Sequence, residues 1–144
     1  MDTADLLLAR AEITDCIHGY ALAIRRGDAT AAAALFTADG CFETREIDPR
    51  DWPDHRNAAR SEGRDAVRAK VAASIGAVRM LPMLHNILID LDASGNRATA
   101  TSLMVGRVWP TDREIPGEYS DTLVREEGRW RFVERIYTMF KPAG

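Results

Sequence analysis

Cysteine is scarce in this chain, and long runs of any one character are missing. Cys16 and Cys41 are the only two cysteines and show no CxxC spacing. That argues against a disulfide framework or a cysteine zinc site and leaves buried free thiols in a reducing cytosol as the expectation. His18 and His55 lack paired ligand spacing, so no metal is expected. The longest apolar stretches, such as Ala31–Phe36, fall far short of the ~20 residues that cross a bilayer, so no membrane span is expected. The N-terminus MDTADLLLAR has neither a basic region nor a small-residue cleavage site, which points to a cytoplasmic protein. Nineteen Lys and Arg against twenty-two Asp and Glu give a net charge of −3 with no long basic run. A nucleic-acid backbone is therefore not the expected partner. No internal repeat or low-complexity tract is visible.

What is present is an ordinary globular composition, 46% hydrophobic and 28% charged over 144 residues. That length suits a single domain over residues 1–144 with one sizeable core. Leu6, Ile13, Ile17, Tyr20 and Ile24 recur at helical spacing from Thr3 to Arg26, and Gly27 stops that helix. Asp28 caps a short alanine-rich helix from Ala29 to Phe36, and Asp39-Gly40 turns into a strand over Cys41–Ile47. The stretch Asp48–Gly63 has Pro49, Trp52, Pro53 and many charges without a period, and reads as a long surface loop. A third helix runs from Arg64 to about Val78, with Val67, Val71 and Ile75 on one face. Four alternating runs follow, Met83–Leu91, Arg97–Trp109, Gly117–Arg125 and Trp130–Phe140, separated by turn residues. Three N-terminal helices packed across a strongly curved antiparallel sheet, an α+β cone, is the predicted architecture.

Alternation also sorts side chains onto faces. His85 is predicted to share a face with Met83, Ile87 and Ile89, and Tyr20 lies on the apolar stripe of the first helix. Arg135 falls on one face with Tyr137 and Met139; an inward guanidinium needs a counter-charge or a ligand. Asp121, on a face with Tyr119 and Leu123, is a candidate for that counter-charge. Apolar residues on both faces of Met83–Leu91 and Arg97–Trp109 predict a homodimer through the outer sheet face.

Four stretches together carry a family resemblance: EITDCIHGYALAIRRGD (12–28) with LFTADG (35–40), GRDAVRA (63–69), LHNILIDLDASGNRATATS (84–102) and GEYSDTLVREEGRWRFVERIY (117–137). Their order and spacing resemble the SnoaL-like branch of the cone fold shared with nuclear transport factor 2, ketosteroid isomerase and scytalone dehydratase. In the dehydratases and the dehydrochlorinase of that group, an Asp near the end of the first helix orients a His that removes a proton from substrate. The resemblance places the His at His85 and the Asp position at Arg25. Tyr20 matches a Tyr or Lys five residues before that Asp, and Arg135 an Arg five residues after a Trp of the last strand.

What the resemblance implies is a cofactor-free lyase, isomerase or cyclase acting on a small, largely apolar substrate in a buried pocket. His85, Tyr20 and Asp121 are the candidate catalytic residues. Arg135, Arg25, Tyr137 and Met104 are candidates for binding substrate, including any anionic group it carries. His85 is expected to line a cavity bounded by the first helix and the strands around Met104, Asp121 and Arg135. An imidazole beside a guanidinium has its pKa pushed down, so Arg25 either favours an anionic ligand or stands in solvent as a helix-end charge. The alternative reading is a non-catalytic ligand-binding or dimerisation module that has lost the Asp–His dyad. A scaffold subunit for an oxygenase ranks last.

Overall fold

A computed structural model of the chain describes residues 1–142. Helix α1 (Thr3–Arg25) starts where the Asp2 carboxylate accepts from the Asp5 N–H at 2.8 Å, and it buries Ala9, Ile13, Cys16, Ile17, Tyr20 and Ala23. Those positions form one stripe at three- and four-residue spacing. Gly27 adopts φ +69° and ends the helix, and the Asp28 side chain caps α2 (Ala29–Ala34). Strand β1 (Phe36–Ile47), a short 3-10 turn (Pro49–Asp51) and strand β2 (Arg56–Glu62) precede α3 (Arg64–Ser74). Strands β3 (Arg79–Leu91), β4 (Arg97–Trp109), β5 (Glu114–Glu126) and β6 (Arg129–Phe140) complete the chain.

These strands form one curved sheet in the order β2-β1-β6-β5-β4-β3, with α1 and α3 over its concave face. The α+β cone is therefore as expected, but the sheet is mixed rather than antiparallel, because β1 runs parallel to β6. The α1–α2 pair feeds β1 onto the sheet beside β6, where the Phe132 N–H donates to the Leu35 carbonyl at 2.8 Å. Gly40 makes that docking possible: a Cβ there would sit 2.8 Å from the Phe132 carbonyl oxygen.

The expected Asp48–Gly63 loop contains strand β2, antiparallel to β1. Its residues are almost all exposed, so no apolar face marks it in the sequence. Charge pairing across to neighbouring strands takes that place, with Arg60 meeting Glu43 at 3.3 Å and Glu134 at 3.0 Å. Helix α3 ends at Ser74, not near Val78, and the freed residues lead straight into β3.

The inward face of β5 alternates as the sequence predicts, with Tyr119, Asp121 and Leu123; β6 turns Trp130 and Phe132 inward, shifts register once, and then turns Arg135 and Tyr137 inward. Strand β3 does not alternate regularly. Asn86 takes φ +51° and the register to β4 shifts between His85 and Leu88. This bulge adds one residue, so Leu84 faces inward before it while Ile87 and Ile89 face inward after it. His85 is thereby turned to the outer face and is exposed.

Candidate functional site

Under α1 and α3 lies a cavity of about 180 Å³. Tyr20 and Ile24, one turn apart on α1, face it, as do Phe42 and Thr44 from β1, Met80 and Pro82 from β3, and Met104, Tyr119 and Tyr137 from the next three strands. Lys70, Val71 and Ser74 of α3 and Ile75 just beyond it close one side, and the half-buried Arg79 stands at the mouth. Among the described residues no carboxylate, imidazole or thiol lines this space.

Three of the predicted residues, Tyr20, Tyr137 and Met104, therefore meet in one cavity. Arg135 and Asp121 lie directly beneath it. Both side chains are fully enclosed, and Arg135 Nε approaches Asp121 Oδ1 at 3.1 Å. The approach is poorly aligned, so it is an ion pair without a proper hydrogen bond, and neither Nη of Arg135 finds an acceptor among the described residues. Aromatic faces take the acceptors' place: the guanidinium carbon lies 3.5 Å from the Tyr119 ring centroid, 4.5 Å from Tyr20 and 4.6 Å from Phe132. Burial pushes the Asp121 carboxyl up to about 6, with the Arg135 charge pulling the other way. Asp121 thus stands as the counter-charge of Arg135, the structural ion pair that alternation made one of its options.

Burial also raises the Tyr20, Tyr119 and Tyr137 phenols, so all three are protonated near neutrality and act as donors. The Tyr137 hydroxyl meets Met80 Sδ at 3.4 Å. Tyr20 and Tyr119 have no hydrogen-bond partner among the described residues, yet their oxygens are not sealed in, so they open onto the cavity. Gly117 lets Tyr137 lie flat on β5, since a Cβ at that position would come within 2.7 Å of its ring. The thiol of Cys16, pushed up to about 12 by burial, is not nucleophilic at neutral pH.

Two predicted residues are elsewhere. His85 points away from the cavity because of the bulge at Asn86. Arg25 is exposed beside a surface groove between α1 and β3 that also includes His18 and Met83. Tyr20 and Ile24 take the inward face of α1, and the next residue is rotated by ~100° out of it. Replacing His85 by Ala should change stability by no more than about 0.5 kcal/mol and leave ligand affinity intact. A lost affinity, read by calorimetry, would return the imidazole to the site.

Sequence reasoning missed Tyr119, which it placed on a face with Asp121 without assigning it to the site, and Phe42, Thr44, Lys70 and Arg79. Phe42 and Thr44 were legible as alternate positions of a predicted strand. Arg79 lay in an apparent linker and carried no signal.

The profile of the SnoaL-like domain family matches residues 5–136. The chain belongs to the SnoaL-like family. Solved structures agree on the shape of the SnoaL-like cone. A Mycobacterium tuberculosis protein of unknown function superposes with a TM-score of 0.80 at 23% identity, covering 99% of this chain and 78% of that one. A protein of Novosphingobium aromaticivorans, provisionally named a scytalone dehydratase, gives 0.75 at 23% identity, covering 97% and 89%. A type 2 hexachlorocyclohexane dehydrochlorinase gives 0.70 at 14% identity, covering 99% and 94%. At such identities these likenesses speak for the fold alone. Among the described residues no helix is long and apolar enough to cross a membrane.

Proposed function

We propose that this SnoaL-like protein binds a small cyclic carbonyl compound and promotes a lyase-, isomerase- or cyclase-type rearrangement by electrophilic activation. The observation that carries the proposal is the pair of protonated, unpartnered hydroxyls of Tyr20 and Tyr119 opening onto an apolar cavity, with the Arg135 guanidinium stacked beneath their rings. A carbonyl oxygen seated on those hydroxyls has its neighbouring C–H bonds acidified, because preorganised donors stabilise the enolate that forms. The proton passes to water or hydroxide entering through the mouth, since no carboxylate or imidazole among the described residues lines the cavity to take it. The cation on the ring faces draws electron density from the phenols and strengthens them as donors. Elimination, double-bond migration and ring closure all share this demand. The dehydratase and dehydrochlorinase names among the structural neighbours support the same class.

The second reading, a binding module without turnover, is favoured by the lack of any carboxylate or imidazole in the lining to take the proton. Cyclohexanone in D₂O separates the two. Wild-type protein that accelerates hydrogen exchange at the carbons beside the carbonyl, followed by proton NMR, supports activation. Saturable binding with no acceleration leaves the binding module. A homodimer through the outer face completes the proposal, supported by the exposed Met83 and Leu88 there; a monomer in sedimentation at micromolar concentration overturns that part.

A further inference from the structure

The mouth of the cavity carries two cations that the protein leaves without partners. Lys70 on α3 and Arg79 at the start of β3 both line it, and among the described residues neither makes an ion pair or a side-chain hydrogen bond. Arg56, Arg60, Arg107 and Lys141 each meet a carboxylate, and other cations unpaired among the described residues, such as Arg10, Arg97 and Arg129, stand on the open surface, whereas Lys70 and Arg79 line the cavity. Arg79 lies against the end of α1. A Cβ on Gly27 would lie 2.9 Å from Arg79 Nη1 and 3.4 Å from Ile75 Cγ2, and Gly27 also has φ +69°. Glycine thus clears the seat of the guanidinium at the very residue where the backbone turns out of α1. The negative end of α1 beside it attracts the cation but supplies only a fraction of a charge.

The cavity thus combines the hydroxyls of Tyr20 and Tyr119, apolar walls from Ile24, Phe42 and Met104, and two unpaired cations, Lys70 exposed and Arg79 half-buried. Its volume, about 180 Å³, slightly exceeds the roughly 150 Å³ apolar cavity that accommodates benzene. One ring fits such a space. We infer that the ligand is a single-ring oxo acid, held with its ring and carbonyl inside and its carboxylate on Arg79 and Lys70. This rests on the carbonyl-activating reading above and adds the substrate class to it. The guanidinium fork matches a carboxylate in geometry, and the ammonium adds a point charge.

The test is calorimetric binding of 4-oxocyclohexanecarboxylate and of its neutral carboxamide to wild type, Arg79→Gln and Lys70→Gln, with a thermal melt of each. The carboxylate should bind wild type at least about tenfold more tightly than the amide, and Arg79→Gln should remove that preference with amide binding and melting unchanged. Lys70→Gln should remove a smaller part. If Arg79→Gln melts early, Arg79→Lys, which keeps the charge, should preserve part of the preference. Equal affinity for acid and amide, or a preference untouched in both Gln variants, overturns the inference while the pocket reading stands. Binding of neither compound removes both.

Discussion

Arg135→Met is expected to lower folding stability by about 3–5 kcal/mol at pH 7, because it strands the Asp121 carboxylate in a closed site with no counter-charge. Neither side chain of this pair has any solvent exposure. The sign of the pH dependence follows from the direction of the Asp121 shift. Its carboxyl is raised to about 6 from an ordinary 3.8 even with Arg135 present, and removing the cation raises it further. The folded state then holds the proton more tightly than the unfolded chain. Below about pH 4 the carboxyl is protonated in both states and its burial is tolerated; that tolerance is lost as pH rises through the folded-state value. Urea midpoints should therefore show the variant far below wild type at pH 7 and much closer to it at pH 5. Adding Asp121→Leu to Arg135→Met should recover most of the stability at pH 7, since two apolar side chains replace a pair of poorly hydrogen-bonded charges. A single variant as stable as wild type at pH 7 would mean that water reaches Asp121.

Tyr119→Phe is expected to slow catalysed exchange beside the carbonyl of cyclohexanone by about 10²–10³, the usual effect of deleting one donor from a preorganised anion site. Stability should hardly change, because the hydroxyl has no partner in the protein to lose. Tyr119 is the phenol nearest the guanidinium, at 3.5 Å from ring centroid to Cζ, so its loss should exceed that of Tyr20→Phe, whose ring lies at 4.5 Å. Exchange that proceeds unchanged in both variants would take the hydroxyls out of the chemistry and leave them as walls. The stabilised Arg135→Met, Asp121→Leu double variant supplies the complementary measurement: it should fold, bind the ring, and exchange slowly, having lost the cation beneath the phenols.

The sequence pattern was sufficient where burial has one sign. The stripe on α1 placed Tyr20 inside, alternation on β5 placed Tyr119 and Asp121 on the inner face, and alternation along the second half of β6, after the irregularity between Phe132 and Glu134, did the same for Arg135 and Tyr137. An arginine on such a face demands a counter-charge, and Asp121 is its direct cross-strand neighbour. The resemblance to the SnoaL-like family was likewise legible from order and spacing, and the family profile over residues 5–136 bears it out.

Other features were settled only by tertiary contacts. Strand β2 has both faces near water and is held by hydrogen bonds and ion pairs to β1 and β6, so hydrophobic period could not reveal it. The parallel pairing of β1 with β6 depends on where the helices deliver the chain, and on Gly40 approaching the Phe132 carbonyl. One extra residue at Asn86 reversed the face of His85, since a side-chain period of two turns a single insertion into a complete inversion. Arg79 joined the cavity because Gly27, fifty-two positions earlier in the chain, leaves room for its guanidinium. Local pattern thus determined which side chains are apolar enough to be inside. Long-range packing decided which polar groups meet there, because those meetings join residues that share no period and no proximity along the chain.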